Sequence, residues 1–516
     1  MPSANTGSGA RALDGRSFWL TRFLMLRLLG VVYLFAFLAA ANQLLPLVGD
    51  HGLTPATSFL VELRAWAGSE SQTWFRHPTL FLLGCSDQGL LVVSWTGVAL
   101  AALCVAGYAN ALSMTLLWAL YLSIVQVGQT WYGYGWEGLL LETGFLGIFL
   151  CPLLDPRPFP RSPPPVVVIW LHRWLLFRVM LGAGLIKMRG DECWRDLTAL
   201  TWHYETQPIP NPISPWLHSL PRWFHVFGCL WNHFTELFVP WFVFGPRVAR
   251  RAAGLLMVFF QVLLLLSGNL SFLNWLTLVA CLACLDDGVW RRVVPRRLVA
   301  AAERAAGAAS TSIAPLIASA LLATVVAWLS VDPITNLLDP HQKMNTSFDP
   351  LHLVNTYGAF GSMDRVRYEI VFEGTDEEDP GPDTAWRPYE FKAKPGDPLR
   401  SPPWLSPYHL RIDWQMWFAA KSTPDRHAWT LHLVWKLLHN DEGALGLLAR
   451  NPFPGRPPRY VRAELYEYRF APRGSGAVWT RTRVRAWLPN LSVYNVELRE
   501  SLVECGWLGE ESLKPK

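Results

Sequence analysis

At 516 residues, 51% hydrophobic and only 16% charged, the chain is too apolar for an ordinary soluble protein, in which about a quarter of residues are charged. Its net charge of +5 lies in clusters between apolar runs and forms no single basic face, which argues against a nucleic-acid partner. The 27 Trp and 27 Phe suit interfacial belts in a lipid membrane, and the length leaves room for two or three domains.

Residues 1–17 form a small, polar, basic tail. The run 18–41 is about 24 residues, long enough to span a bilayer and longer than the apolar core of a signal peptide. It lacks a convincing cleavage site and reads as a first transmembrane helix that anchors itself. Eight further apolar runs follow at 90–106, 112–127, 138–154, 166–186, 223–244, 252–267, 272–285 and 313–331. The stretch 252–285 is too long for one span and is interrupted at Ser267, Gly268 and Asn269, so it reads as a hairpin of two short helices.

Basic residues favour the cytoplasmic side of membrane proteins. Arg11, Arg16, Arg22 and Arg27 place the N-terminus there. Loop 42–87 then falls outside with Asp50, Glu62, Glu70 and Asp87 against Arg64 and Arg76. Arg157 and Arg161 fall inside, as do Arg247, Arg250 and Arg251 and the cluster Arg291, Arg292, Arg296, Arg297 and Arg304. The last two groups share a side only if 252–285 crosses twice. The expected fold is therefore an α-helical multi-pass membrane bundle of about nine spans over 18–331, with an α+β extramembrane domain at 332–516.

In that C-terminal stretch, 366–373 alternates apolar and polar as a half-buried strand does. Segments 389–394 and 408–418 read as further strands, and 427–450 has helical spacing. Segments 459–470 and 478–487 can pair as a hairpin across the Gly-rich turn 473–476. The eight cysteines are less informative. Cys281 and Cys284 have redox spacing without a redox context, and Cys193 and Cys505, both placed outside, are free to pair or not.

Ionisable groups at membrane depth usually face a bundle interior or an aqueous cavity. Glu142 lies inside a run and Glu137 at its mouth. Five residues apart, they point about 140° from one another on a helix and make no two-carboxylate pair. Arg173, Arg178, Trp or Tyr on neighbouring helices are the expected partners. Lys187 follows Gly182 and Gly184, small residues that let helices approach, and is either a base or a snorkelling cation. His233 and Glu236 share a helix face beside Asn232, but two side chains do not make a metal site. Lys187, Glu142, His233 and Glu236 are thus the candidate catalytic residues. No cofactor or metal is expected, since the sequence has no phosphate loop, dinucleotide fingerprint or zinc motif in usable context.

Long, ordered stretches carry a resemblance. They are FWLTR at 18–22, WYGYGWEGLLLETGFLGIFLCPL at 131–153, and MLGAGLIKMRGDECWRDLTALTWHYETQPIPNP at 180–212. SGNLSFLNWLT at 267–277, VNTYGAFGS at 354–362, YEFKAKPGDP at 389–398, SPYHLRIDWQMWFAA at 406–420 and NPFPGRPP at 451–458 complete the set. With these the chain resembles the lipase maturation factor family from about Phe18 to Trp507. The resemblance implies a chaperone-like membrane protein of the endoplasmic reticulum, or of the inner membrane if the source is bacterial. Its implied clients are secreted lipases of the lipoprotein lipase, hepatic and endothelial types; physically, binding them would use exposed aromatic and apolar surface on 340–516, for example from the many Trp there. The run Ala183 to Lys187 with Trp194 is also similar to the vitamin K-dependent gamma-carboxylases. That likeness implies the alternative of a membrane enzyme acting on a quinone or lipid in the bundle. In a eukaryotic host Asn345, in Asn-Thr-Ser, is the expected glycosylation acceptor, and Asn269 lies too near the membrane.

Overall fold

The computed structural model describes Leu13 and residues 17–310 and 312–513; Arg11 and Arg16 lie outside the described residues. The chain opens with α1 (Trp19–Val48), two short helices α2 (Ala56–Ala67) and α3 (Glu70–Arg76), then α4 (Asp87–Ala106), α5 (Ala111–Val127), α6 (Gly135–Leu150) and α7 (Val166–Arg189). Short helices α8 (Glu192–Arg195), α9 (Ala199–Thr206) and α10 (Ser214–His218) lead to α11 (Arg222–His233). This helix continues as a π turn, Phe234–Phe238, and a 3-10 run, Val239–Phe244. Then come α12 (Arg247–Ser267), α13 (Leu273–Leu282), α14 (Asp287–Trp290), α15 (Arg296–Gly307), α16 (Ile313–Leu329) and α17 (Val331–Leu338).

Local chemistry sets the helix ends. Ser86 caps α4 by accepting the Gly89 N–H, and Gly107, at φ 114°, ends it in the left-handed conformation that glycine adopts without strain. Asn110 and Ser113 form a capping box at α5. The start of α1 is capped from far along the chain: the Asp287 carboxylate accepts the N–H groups of Trp19 and Leu20, each at 2.8 Å. The π turn in α11 has a local cause, since Pro240 has no N–H to give the carbonyl four residues back and the helix winds wider there.

All nine predicted apolar runs are helical, but they are not nine equal rods. Five helices are long and apolar enough to cross a membrane: α1, α4, α7, α12 and the continuous pair α16–α17, Ile313–Leu338. Helices α5 and α13 are shorter apolar helices, α6 has 16 residues, and the α11 run changes winding midway. Hydrogen bonds define two ends. At an arginine-rich end, α1 begins beside Asp287, Ala109 N–H donates to Pro156 (3.1 Å), Arg250 meets Asp286 (2.9 Å) and Ser310 N–H donates to Arg161 (3.2 Å). At the opposite end, Asp50 N–H reaches Asp87 (2.8 Å), Gln129 reaches Thr54 (2.9 Å) and Asp191 N–H reaches Gly361 (2.8 Å).

The C-terminal part sits on that second end, hereafter the sheet end. Its four-stranded antiparallel sheet has the order β2-β1-β5-β6, built from β1 (Arg367–Thr375), β2 (Arg387–Pro388), β5 (Tyr460–Phe470) and β6 (Trp479–Leu491). Strands β3 (Glu390–Phe391) and β4 (Leu448–Arg450) form a separate pair. Strands β5 and β6 form the expected hairpin, with Phe470 opposite Trp479 and left-handed Gly474 and Gly476 in the turn. Helices α18 (Arg411–Ala419), α19 (Trp429–Leu438), α20 (Glu442–Leu447) and α21 (Val496–Glu504) pack beside the sheets.

One expected strand is wrong: 408–418 holds α18 instead. Its alternation does not separate core from solvent, because Arg411, Asp413 and Gln415 are as buried as Ile412, Trp414 and Met416. Each polar group has a partner. Arg411 meets Glu137 (2.8 Å), Asp413 accepts the Ala393 N–H (2.6 Å), and Gln415 donates to Thr130 (2.6 Å). A single apolar core continues from the bundle into the C-terminal part, so the two share one interior. Of the nine Trp after residue 340, only Trp404 is exposed; the other exposed aromatic and apolar groups there include Phe348, Leu399, Phe418, Tyr494 and Val496.

Candidate functional site

The candidate residues Glu142, Lys187, His233 and Glu236 lie toward the sheet end and fall into two clusters. The first lies on α6. Glu142 pairs with Arg178 of α7 and accepts the Tyr357 hydroxyl (2.7 Å) and the Asn355 N–H (2.9 Å). Arg178 in turn donates to the Asn355 carbonyl (2.6 Å), closing the ring. One turn nearer the sheet, Glu137 accepts from Tyr121 and from Arg411 of α18 (2.8 Å), whose guanidinium also donates to the Trp131 carbonyl (2.6 Å). Glu137, Glu142, Arg178 and Arg411 are all almost fully buried. Of the expected arginine partners, Arg178 is the one used, and Arg173 donates instead to the Ala283 carbonyl (2.8 Å). Both glutamates therefore bind the C-terminal polypeptide.

The second cluster surrounds Lys187. Its ammonium donates to both oxygens of Glu236, at 2.6 and 2.7 Å, and lies 4.9 Å from the centre of the Trp194 ring. Both side chains are 5% exposed, so Lys187 does not snorkel. Glu236 sits in the π turn, and Gly184 lets that turn approach: a Cβ there would meet the Glu236 Cβ at 3.0 Å. Gly182 plays a different part from the helix contact expected of it, because its missing side chain makes room for the Tyr357 carbonyl. His233 donates from Nε2 to the Trp194 carbonyl (2.9 Å), and the Trp194 indole donates to the Phe360 carbonyl (2.7 Å). Lys187, Glu236 and His233 thus converge. Glu142 belongs to the other cluster, since Arg178 and Lys187 are nine residues apart on α7, a rise of about 13 Å.

A third group of contacts was not apparent in the sequence. The polar segment after α7 is a docking platform. Arg367 of β1 donates to the carbonyls of Glu205 and Pro208, both at 2.9 Å, and the Glu205 carboxylate accepts the Phe470 N–H (2.7 Å). Trp417 donates to Thr206 (2.9 Å). Asp191 pairs with Arg365 (2.7 Å), which holds its carboxyl well below the usual carboxylate range. His432 of α19 bonds the Leu53 carbonyl (2.8 Å) and stacks on Trp507; burial lowers its pKa to about 4. No local pattern marks such residues, because each partner lies far away in the chain.

Asn345 is exposed at the sheet end, where its amide oxygen accepts the Gly358 N–H (3.3 Å). Asn269 is buried, and its amide binds the Pro403 carbonyl (2.8 Å) and the Leu405 N–H (2.9 Å), which leaves no room for a glycan. All eight cysteines are free, Cys193 and Cys505 included, and the Cys281 and Cys284 thiols are core groups. Among the described residues no group of three or more His, Cys, Asp or Glu is placed to hold a metal ion.

Fold and site together define a helical membrane protein with a small C-terminal sheet region locked onto one end of its helices. Residues 20–292 match the lipase maturation factor transmembrane domain and residues 353–489 the lipase maturation factor C-terminal domain. The chain is 48% identical to lipase maturation factor 1 of Bos taurus, over 95% of its own length and 93% of the relative's. It is 47% identical to the Homo sapiens protein of the same name, over 97% and 92%, and 31% identical to lipase maturation factor 2 of Homo sapiens, over 94% and 85%. The chain belongs to the lipase maturation factor family. No solved structure matches it.

Proposed function

We propose that the chain is a membrane-embedded maturation factor that assists the folding and assembly of secreted lipases of the lipoprotein lipase, hepatic and endothelial types. The observation that carries this reading is the match to relatives named lipase maturation factor over nearly the whole chain, both helices and sheet region. In this reading the helical runs cross the membrane nine times, with the arginine-rich end cytoplasmic. The C-terminal domain, 332–516, then faces the lumen of the endoplasmic reticulum, or the periplasm in a bacterium. Asn345 is on that side and is the acceptor for a glycan in a eukaryotic host. Clients are met by the C-terminal domain, where Leu399, Trp404 and Tyr494 are exposed.

The test is complementation. The full chain, expressed in cells lacking their own lipase maturation factor, should restore secreted lipoprotein lipase activity at least several-fold. Accumulation in the membrane without any rise in activity would remove this reading.

The Lys187 cluster supports a second reading, an enzyme acting on a quinone or lipid, because π turns frequently occur at functional sites. Against it, Lys187 would have to leave Glu236 before acting as a base. Lys187→Arg preserves the charge pair but cannot be deprotonated. Retained maturation activity in that variant favours a structural pair, and loss at normal abundance favours chemistry. Lys187→Met strands the Glu236 carboxylate in the interior, at a cost of about 3–5 kcal/mol, so it cannot separate the two.

A further inference from the structure

Three large apolar side chains are exposed at the sheet end in the link between α1 and α4. Trp66 at the end of α2 is 65% exposed, Phe75 in α3 is 78% exposed and Leu83 beyond it is 80% exposed. A soluble surface rarely gathers such groups without a partner. Their depth is set by hydrogen bonds. The Thr79 hydroxyl donates to the Ser123 carbonyl and the Leu80 N–H to the Ser123 hydroxyl, both at 3.1 Å, while His77 meets Gln126 (3.2 Å). Ser123 is four residues short of the end of α5 at Val127, about 6 Å along the axis. The link therefore does not stand clear of the bundle but dips back beside it. Helices that lie in a membrane surface bury their apolar side about 5–10 Å into the headgroup boundary, the same depth. The flanking cations fit that position. The Arg76 guanidinium lies 4.8 Å over the Trp66 ring, and Trp with Arg is the pairing that suits the border of lipid and water.

We propose that α2, α3 and the turn through Leu83 form an interfacial anchor, seated in the lipid headgroup region on the sheet side of the membrane. The partner is the lipid surface itself, and the argument is independent of which clients the protein serves. Helix α2 follows directly on the Leu53 carbonyl held by His432, so the anchor lies beside a point where the C-terminal part is tied to the bundle.

The test uses the full chain in phospholipid nanodiscs, with a photo-cross-linker introduced as Phe75→p-benzoylphenylalanine or Leu83→p-benzoylphenylalanine. Both positions are exposed, so neither change disturbs packing. Val484→p-benzoylphenylalanine, on exposed β6, is the control. Irradiation and mass spectrometry should find phospholipid adducts at 75 and 83 at least five-fold above 484. Adducts no higher than the control would overturn the proposal. So would irradiation in cells that joined Phe75→p-benzoylphenylalanine or Leu83→p-benzoylphenylalanine to a secreted protein instead of lipid, which would make the patch a client surface.

Discussion

The two ends of the helical bundle use the same residue types for opposite purposes. At the arginine-rich end, Asp286 gathers Arg250 (2.9 Å) and Arg251, and Asp287 caps α1, so the carboxylates tie bundle segments to one another. At the sheet end, Glu137, Glu142 and Glu205 all bind polypeptide from beyond residue 350. A buried carboxylate in an apolar helix is therefore not by itself a sign of chemistry. What it does depends on what satisfies it, and here the sheet-end carboxylates convert two parts of the chain into one body. Cutting the chain near residue 340 would remove Asn355, Tyr357 and Arg411 together and leave buried charges behind, so the bundle is not expected to survive alone.

The comparison can be broken most severely at Arg411. Arg411→Met leaves Glu137 charged and buried and should destabilise the fold by about 3–5 kcal/mol. Limited proteolysis should then cut the C-terminal part in preference to the bundle; unchanged resistance would mean that this pair does not hold the dock. Acidification acts on the same end more mildly. An unfolded histidine titrates near about 6.5, whereas folded His432 titrates at about 4. As the pH falls below the first value the unfolded chain takes up a proton that the folded chain refuses. Stability is lost across that window, by about 2 kcal/mol between pH 7 and pH 5. His432→Gln should show a smaller drop in melting midpoint over that interval than the parent chain. The smallest effect belongs to the other end. Asp287→Ala removes the cap on α1 at a cost of about 0.5–2 kcal/mol, and the proteolytic pattern of the C-terminal part should stay as it is. A changed pattern would erase the distinction between the ends.

Much of this was legible in the residues. The apolar runs became helices because their length and composition permit little else, and 366–373 and the 459–487 hairpin followed from alternation and turn glycines. The partner of Glu142 on α7 was among those expected. What stayed hidden depends on long-range pairing. The 408–418 alternation misled because Arg411, Asp413 and Gln415 are buried by partners in other segments, which no local periodicity reveals. Lys187 looked free to snorkel because Glu236 lies 49 positions away in a turn whose unusual winding Pro240 causes. The expected spans differ in length, from 30 residues in α1 to 16 in α6 and 10 in α13, and α6 keeps two buried glutamates because other segments satisfy them.

The central claim is that Glu137 and Arg411 act as a buried lock between bundle and sheet region. A double-mutant cycle of Glu137→Gln and Arg411→Met, followed by equilibrium unfolding in mixed micelles, measures that lock directly. The predicted result is a coupling of about 2–3 kcal/mol, with the double variant more stable than the sum of the single losses implies. Losses that simply add, to within about 0.5 kcal/mol, would contradict it.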